Sequence, residues 1–328
     1  MSDFWAQRRV FVTGATGMVG SWLTRRLLNL GAHVVALIRD VEPRSELYRS
    51  GDINGVTVVN GRLEEFWTLE RAVSEHEIDT VFHLGAQTIV PTARRSPLLT
   101  FESNIRGTYH LLEVCRLHRN LVQRIVVAST DKVYGEQDQP CREEAGLSAS
   151  HPYETSKYCL ELLAQAYVRT YGLPLVLMRC GNIYGGGDLN WSRLVPGTIR
   201  SLLREERPLI RSDGKSIRDF LYIDDAVDAY LMAAEQSARP DVTGQAFNVS
   251  AESPRSVLDV VALIQRLMGC ELLEPVVLNE APGELATQVL SADKAKRVLG
   301  WHSRWSLDDG LSAAIEWYRT FFTTGVLG

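Results

Sequence analysis

Three glycines spaced three apart, Gly14, Gly17 and Gly20, close the apolar run at residues 10–12 and open a stretch of helical period over 21–30. A strand that turns into a helix through so short a link needs backbone unobstructed by Cβ atoms. The free N–H groups and positive dipole end of the helix then attract an anion. In this strand–turn–helix order the spacing points to the pyrophosphate of a dinucleotide. A glycine-rich turn that binds nothing is the alternative.

Apolar runs at 9–12, 33–38, 56–59, 80–84, 124–128 and 175–179 alternate with segments of helical period such as 98–117 and 153–171. Such alternation predicts an α/β fold of the Rossmann type, a doubly wound parallel sheet with helices on both faces. Runs unbroken by polar residues fit strands covered on both sides. The alternation stops after Arg179, where glycines, prolines and arginines interrupt shorter segments. The expected division is a dinucleotide-binding domain over 1–180 and a smaller α/β substrate lobe over 181–328. Segments near 222–250, including a strand at 246–249, are expected to return to the first sheet. The 328 residues suffice for two such units, with the ligand between them.

A net charge of −5 gives no basic footprint for nucleic acid. No apolar run is long enough to span a bilayer, and the first residues lack the apolar core of a signal peptide. The expectation is a cytoplasmic protein with no membrane partner. Five cysteines show no C-x-x-C spacing and the histidines no metal-ligand spacing, so neither a disulfide frame nor a metal site is expected.

Tyr153 and Lys157, four apart, share one helix face. An ammonium beside a phenol favours the phenolate, and such a tyrosine can act as a base toward a hydroxyl. The pair lies one loop past a strand, at the carboxyl edge where α/β sheets bind ligands. That strand ends in Ser129, Thr130, Asp131 and Lys132. These could hold a substrate and exchange protons, or simply cap a turn. Asn182 adjoins Gly185–Gly187, glycines that would admit a phosphate closely, and Arg193 and Arg218 offer forks for a diphosphate. Asp40, about 20 residues past Gly20, suits the ribose of NAD. Arg39 beside it suits the 2′-phosphate of NADP, so NAD is favoured with NADP left open. His83 is expected to pack at a strand end, and Trp301, Trp305 and Trp317 in the core.

With these residues assembled, the chain resembles the extended short-chain dehydrogenase/reductases that modify nucleotide sugars, over essentially its whole length. The carriers are Thr13-Gly-Ala-Thr-Gly-Met-Val-Gly20, His83-Leu-Gly-Ala86, Asn104 ahead of Ile-Arg-Gly-Thr108, Ser129-Thr-Asp131, Tyr153-x-x-x-Lys157 and Arg218-Asp-Phe220. Within that family, Phe4-Trp5, Thr130-Asp-Lys132 and Leu299-Gly-Trp-His-Ser-Arg-Trp305 are similar to the CDP-glucose 4,6-dehydratases. Arg62 stands where an aspartate commonly follows Gly61, and the 134–151 loop diverges from that subgroup. Arg218–Asp224 is closer to the wider dehydratases and epimerases.

The resemblance implies a nucleotide-sugar 4,6-dehydratase that oxidises C4 transiently with tightly held NAD. Tyr153 would take the C4 hydroxyl proton, Lys157 would lower its pKa and hold the nicotinamide ribose, and Thr130 would bond the C4 oxygen. Lys132, standing where relatives carry a glutamate, would remove the C5 proton, and Asp131 would protonate the departing C6 hydroxyl. Cofactor contacts implied are Gly14, Thr16, Gly17, Met18, Val19 and Gly20, then Arg39, Asp40, Leu63, Leu84, Ala86 and Asn104, with Tyr153 and Lys157. Substrate contacts implied are Gln87, Asn182, Arg193, Leu194 and Arg218. Nucleotide-glucuronate (UDP-glucuronic acid) decarboxylation or 4-epimerisation shares the C4 oxidation and is the alternative. A homodimer through a four-helix interface of 98–117 and 153–171 is also implied. Phe101, Ile105, Tyr109 and Leu112 exceed what one buried face needs.

Overall fold

The computed structural model describes residues 4–137, 140–280 and 285–324. Two residues of the divergent loop, 138 and 139, and the first three of the chain lie outside it.

The six apolar runs form strands β1 (Arg9–Thr13), β2 (His33–Ile38), β3 (Val56–Asn60), β4 (Thr80–His83), β5 (Arg124–Ala128) and β6 (Leu175–Cys180). Between and after them run helices α1 (Met18–Asn29), α2 (Phe66–Glu75), α3 (Pro97–Phe101), α4 (Gly107–Leu117) and α5 (Pro152–Tyr171). The six strands are parallel, in the order β3-β2-β1-β4-β5-β6. The strand order reverses between β1 and β4, which opens a crevice at their carboxyl ends. Thr13 pairs there with His83.

Alternate residues of each strand enter different cores, as the pleat requires. Val10 and Val12 pack with Leu23 and Leu27 of α1. Phe11 faces the other way, into a cluster with Leu69 and Val73 of α2, Leu111 and Leu112 of α4, and Leu160 and Ala164 of α5.

Past β6 the chain forms β7 (Asn182–Tyr184), α6 (Leu194–Leu203), β8 (Ile217–Arg218), β9 (Phe220–Tyr222) and α7 (Ile223–Gln236). Then come β10 (Ala246–Val249), β11 (Arg255–Ser256), α8 (Val257–Met268), β12 (Thr287–Gln288) and α9 (Leu307–Thr323). Strand β10 joins β6 in parallel as the seventh strand of the main sheet. Helix α7 lies on the sheet beside α1, where Arg26 reaches Asp224 and Asp228. A separate ribbon, β11-β8-β12, places Arg218 opposite Gln288.

Two expectations shift. Helix α1 begins at Met18, inside the glycine motif, because Gly17 itself is the N-cap. The helical stretch 98–117 is interrupted by a π-turn at Glu102–Arg106. Such turns cluster at functional sites, and here the interruption carries Asn104. Among the described residues no helix is long and apolar enough to cross a membrane, and no cluster of His, Cys, Asp and Glu could hold a metal.

Candidate active site

The glycine turn is built for a close approach. Gly14 has φ +75°, and a Cβ there would lie 2.7 Å from Gly85 N. A Cβ on Gly20 would lie 2.1 Å from Gly14 O. Gly17 is exposed, and its Cβ would meet only Gly14 O, at 3.3 Å. No side chain caps α1 and no acid stands in its first turn. This leaves a helix N-terminus open to an anion, which fits a dinucleotide pyrophosphate. Thr16, Met18 and Val19 are half-buried around it, as are Leu84 and Ala86 on either side of Gly85. Leu63 is buried against Gly107, where a Cβ would come within 2.6 Å of it. Arg39 and Asp40, both exposed past β2, pair with each other at 2.5 Å.

A buried hydrogen-bonded chain runs from this turn toward Tyr153. Gly85 N–H donates to Thr13 Oγ1 at 3.1 Å, and Thr13 Oγ1 lies 2.8 Å from His83 Nδ1. His83 Nε2 lies 2.9 Å from Thr108 Oγ1, which donates to Asn104 O at 2.6 Å. Thr108 has one hydroxyl proton, so it accepts from His83, whose Nε2 carries the hydrogen. Burial pushes the imidazole down to about 3, so it is neutral. The Asn104 side chain accepts from Gln87 N at 2.7 Å and donates to Gln87 O and Ser156 Oγ. Ser156 donates to Tyr153 O at 2.6 Å.

Past β5, Thr130 caps the single turn Asp131–Tyr134, accepting from Lys132 N at 3.3 Å. Its hydroxyl donates to Asp131 Oδ1 at 3.0 Å. Burial raises the Asp131 carboxyl above its ordinary range, against the pull of Lys132, Thr130 and Arg218. Tyr153 and Lys157, at the start of α5, are both buried. The phenol is pushed up to about 12 by burial, while Thr130 and Arg193 pull it down. This corrects the expectation of a phenol lowered by its lysine. The Lys157 ammonium donates to Ala128 O at 2.7 Å, and burial brings it down to about 8, with Glu161 opposing.

Among the implied substrate residues, Arg193 bonds Asp188 at 3.0 Å and its charge acts on Tyr153, with Leu194 following it at the start of α6. Arg218, on β8, is buried and acts on Asp131. Asn182 Nδ2 donates to Asp219 O at 3.4 Å. The glycines beside it serve packing instead of a phosphate. A Cβ on Gly186 would meet the Trp317 ring at 2.3 Å, and one on Gly185 would meet Ile223 at 2.5 Å. Trp301 is buried, whereas Trp305 and Trp317 are only partly so.

Sequence reasoning passed over three neighbours. Glu161 and Arg179 form a buried ion pair behind Lys157, and Gln288 accepts from Lys132 Nζ at 3.4 Å. A carboxylate one helical turn past Lys157 was a readable signal for Glu161. Nothing local marks Gln288.

A model of the NAD dependent epimerase/dehydratase family matches residues 10–250. The CDP-glucose 4,6-dehydratase of Salmonella typhimurium is 29% identical, covering 97% of this chain and 92% of its own length. The solved UDP-glucose 4-epimerase of Thermotoga maritima, with UDP-glucose, aligns at a TM-score of 0.87 with 28% identity, covering 96% of this chain and 99% of that one. The dTDP-glucose 4,6-dehydratase of Streptomyces venezuelae, with NAD bound, aligns at 0.86 with 26% identity over 95% of this chain and 97% of its own.

Proposed function

Because the chain belongs to the NAD dependent epimerase/dehydratase family, we propose that it is a nucleotide-sugar 4,6-dehydratase holding NAD in the crevice between β1 and β4. The observation that carries this reading is the Thr130–Asp131–Lys132 turn beside Tyr153. It sets near the phenol an acid that burial raises above its ordinary range, followed in the turn by a lysine amine. Epimerisation needs no such additional pair, whereas elimination of water needs both.

Bound NAD, held at the Gly14–Gly20 turn, would supply the hydride acceptor for oxidation at C4 and the donor for reduction at C6. Tyr153 takes the proton of the C4 hydroxyl as the ketone forms. The ketone acidifies C5–H, and Lys132, as the free amine, takes that proton. The C5–H electrons form the C5–C6 double bond while the C6 hydroxyl leaves with a proton from Asp131. Lys132 returns its proton to C5, and the proton gained by Tyr153 balances the one Asp131 gave up. The net change is loss of one water.

With the phenol up to about 12, Tyr153 ionises only when positive charge is brought to it. Arg193, which already pulls the phenol down, and the nicotinamide cation would supply that charge. The relay from Thr13 to Ser156 fixes where the phenol stands relative to the cofactor turn. The diphosphate falls to Arg193 and Arg218, and the adenosine ribose to Asp40. Arg39, paired with Asp40, leaves little free charge for a 2′-phosphate, which favours NAD over NADP.

Incubation with CDP-, dTDP- and UDP-glucose and mass analysis for a 4-keto-6-deoxy sugar tests this reading. No such product from any of them would overturn it. The likeness to the Thermotoga epimerase supports a second reading, 4-epimerisation. Inversion at C4 without loss of water would decide for it.

A homodimer through α3, α4 and α5 completes the proposal. Leu98, Leu99 and Leu162 are 68%, 61% and 56% exposed on these helices. Leu112, by contrast, is core, and Phe101 and Ile105 are half-buried.

A further inference from the structure

We infer that Gln288 is a positioning residue, whose side-chain carbonyl holds the Lys132 nitrogen where it exchanges a proton with the substrate. This rests on the role given to Lys132 above. Gln288 is carried by β12, and its partner strand β8 brings Arg218 to the same register. The contact joins residues 156 apart in sequence, tying the turn after β5 to the C-terminal ribbon.

The chemistry of the pair fixes the amide. In its ammonium form a lysine offers only donors, so the group that meets Nζ is then the amide oxygen. Nε2 is thereby turned away. Among the described residues it has no hydrogen-bond partner, in a residue only 4% exposed. Reversing the amide would set donor against donor at Lys132. A leucine or methionine of similar size would leave no buried N–H group unsatisfied. The glutamine therefore sacrifices half of its bonding capacity and keeps the half that reaches Lys132. An unmade bond tolerated beside a reacting group is the kind of local cost that functional sites carry.

The contact changes with the reaction. When Lys132 takes the C5 proton it becomes an ammonium, and a carbonyl oxygen on it is then a charge-assisted acceptor. When Lys132 returns the proton the bond weakens again. Gln288 thus favours the protonated form and fixes its position without itself titrating. Among the described residues, the charged and titratable groups around this turn include Asp131, Tyr153, Glu154, Cys180, Arg193, Arg218 and Asp219.

The test uses the full chain with CDP-, dTDP- and UDP-glucose in deuterated water, comparing wild type, Lys132→Met, Gln288→Met and Gln288→Glu. Deuterium entering C5 reports Lys132, and reduced-nicotinamide absorbance in a single turnover reports C4 oxidation. In Gln288→Met, C5 exchange should fall about ten-fold more than C4 oxidation. In Gln288→Glu, a carboxylate opposite Lys132 should move the acid limb of the pH profile up by about one unit or more. A purely structural role would depress both steps together and leave the limb in place. If Lys132→Met stops exchange while both Gln288 variants keep the wild-type ratio and limb, the inference about Gln288 fails alone. If Lys132→Met exchanges normally, the role of Lys132 fails with it.

Discussion

Arg179 clasps Glu161 through two hydrogen bonds, Nε to Oε1 at 2.9 Å and Nη2 to Oε2 at 2.6 Å. Both side chains are less than a tenth exposed, and Glu161 stands one helical turn past Lys157. Ser129, next to Thr130, donates to the same carboxylate at 2.5 Å. The ion pair is therefore a buried brace that links β5, α5 and β6 under the Thr130–Lys132 turn. Removing one partner strands a charge. Arg179→Met should destabilise the protein by about 3–5 kcal/mol in chemical denaturation. A loss near zero would show that Glu161 finds another partner or protonates without penalty.

Tyr153→Phe removes one hydroxyl from a buried ring. Turnover should drop by about two to four orders of magnitude. NAD binding, followed by fluorescence, should weaken far less than turnover, because Gly14–Gly20 is untouched. Retained turnover would remove the phenol from the chemistry.

His83 gives stability a pH dependence with a definite sign. Its folded value, about 3, lies below the unfolded value of 6.5. Between these limits the unfolded chain binds the extra proton, so stability falls as pH falls. Asp219, raised to about 6 from 3.8, acts the other way over part of that window. Comparison with His83→Gln isolates the histidine. The stability advantage of wild type should narrow by about 1.4 kcal/mol per unit between roughly pH 6 and pH 4. A constant gap would mean that the imidazole titrates normally in the fold.

Gly17 and Gly20 should separate binding from folding. Gly20→Ala drives a methyl into Gly14 O, which is backbone and cannot step aside. A loss of about 1–3 kcal/mol or more is expected. Gly17→Ala meets only one atom, at 3.3 Å, and should leave the melting temperature nearly unchanged while weakening NAD in a titration. Equal effects of the two changes on stability would contradict this division.

The apolar side chains on α3 and α5 make the dimer testable. In light scattering wild type should give a dimer, and Leu99→Glu combined with Leu162→Glu a monomer. A monomeric wild type would sink the four-helix interface.

The sheet was legible because most of its strands are nearly unbroken apolar runs, ended by a polar or glycine signal. Val10–Val12 and Val126–Ala128 needed no partner to be recognised. The helix around Asn104 read as continuous because its period is continuous. Within the π-turn Asn104 bonds Gln87 and Ser156, both distant in sequence, and the interruption leaves no local mark. Gly185–Gly187 misled for a related reason. Glycine reports that something comes close, and here the close neighbours are Trp317 and Ile223. The Tyr153–Lys157 spacing placed both groups correctly on one turn but did not reveal that Ala128 O takes the ammonium. Gln288 was invisible because its meaning lies in Lys132, across the whole substrate-facing part of the chain.

The pairing of Val249 with Cys180 means that the chain leaves the main sheet to build its second part and then comes back to finish the first. A fragment ending at Cys180 would expose the edge of β6, from Leu177 to Cys180, whose residues are all buried in the intact chain. Such a bare apolar edge invites aggregation. The sheet up to β6 is therefore completed only by β10, so exchanging the excursion between β6 and β10 with a relative means grafting an insert instead of swapping C-terminal halves.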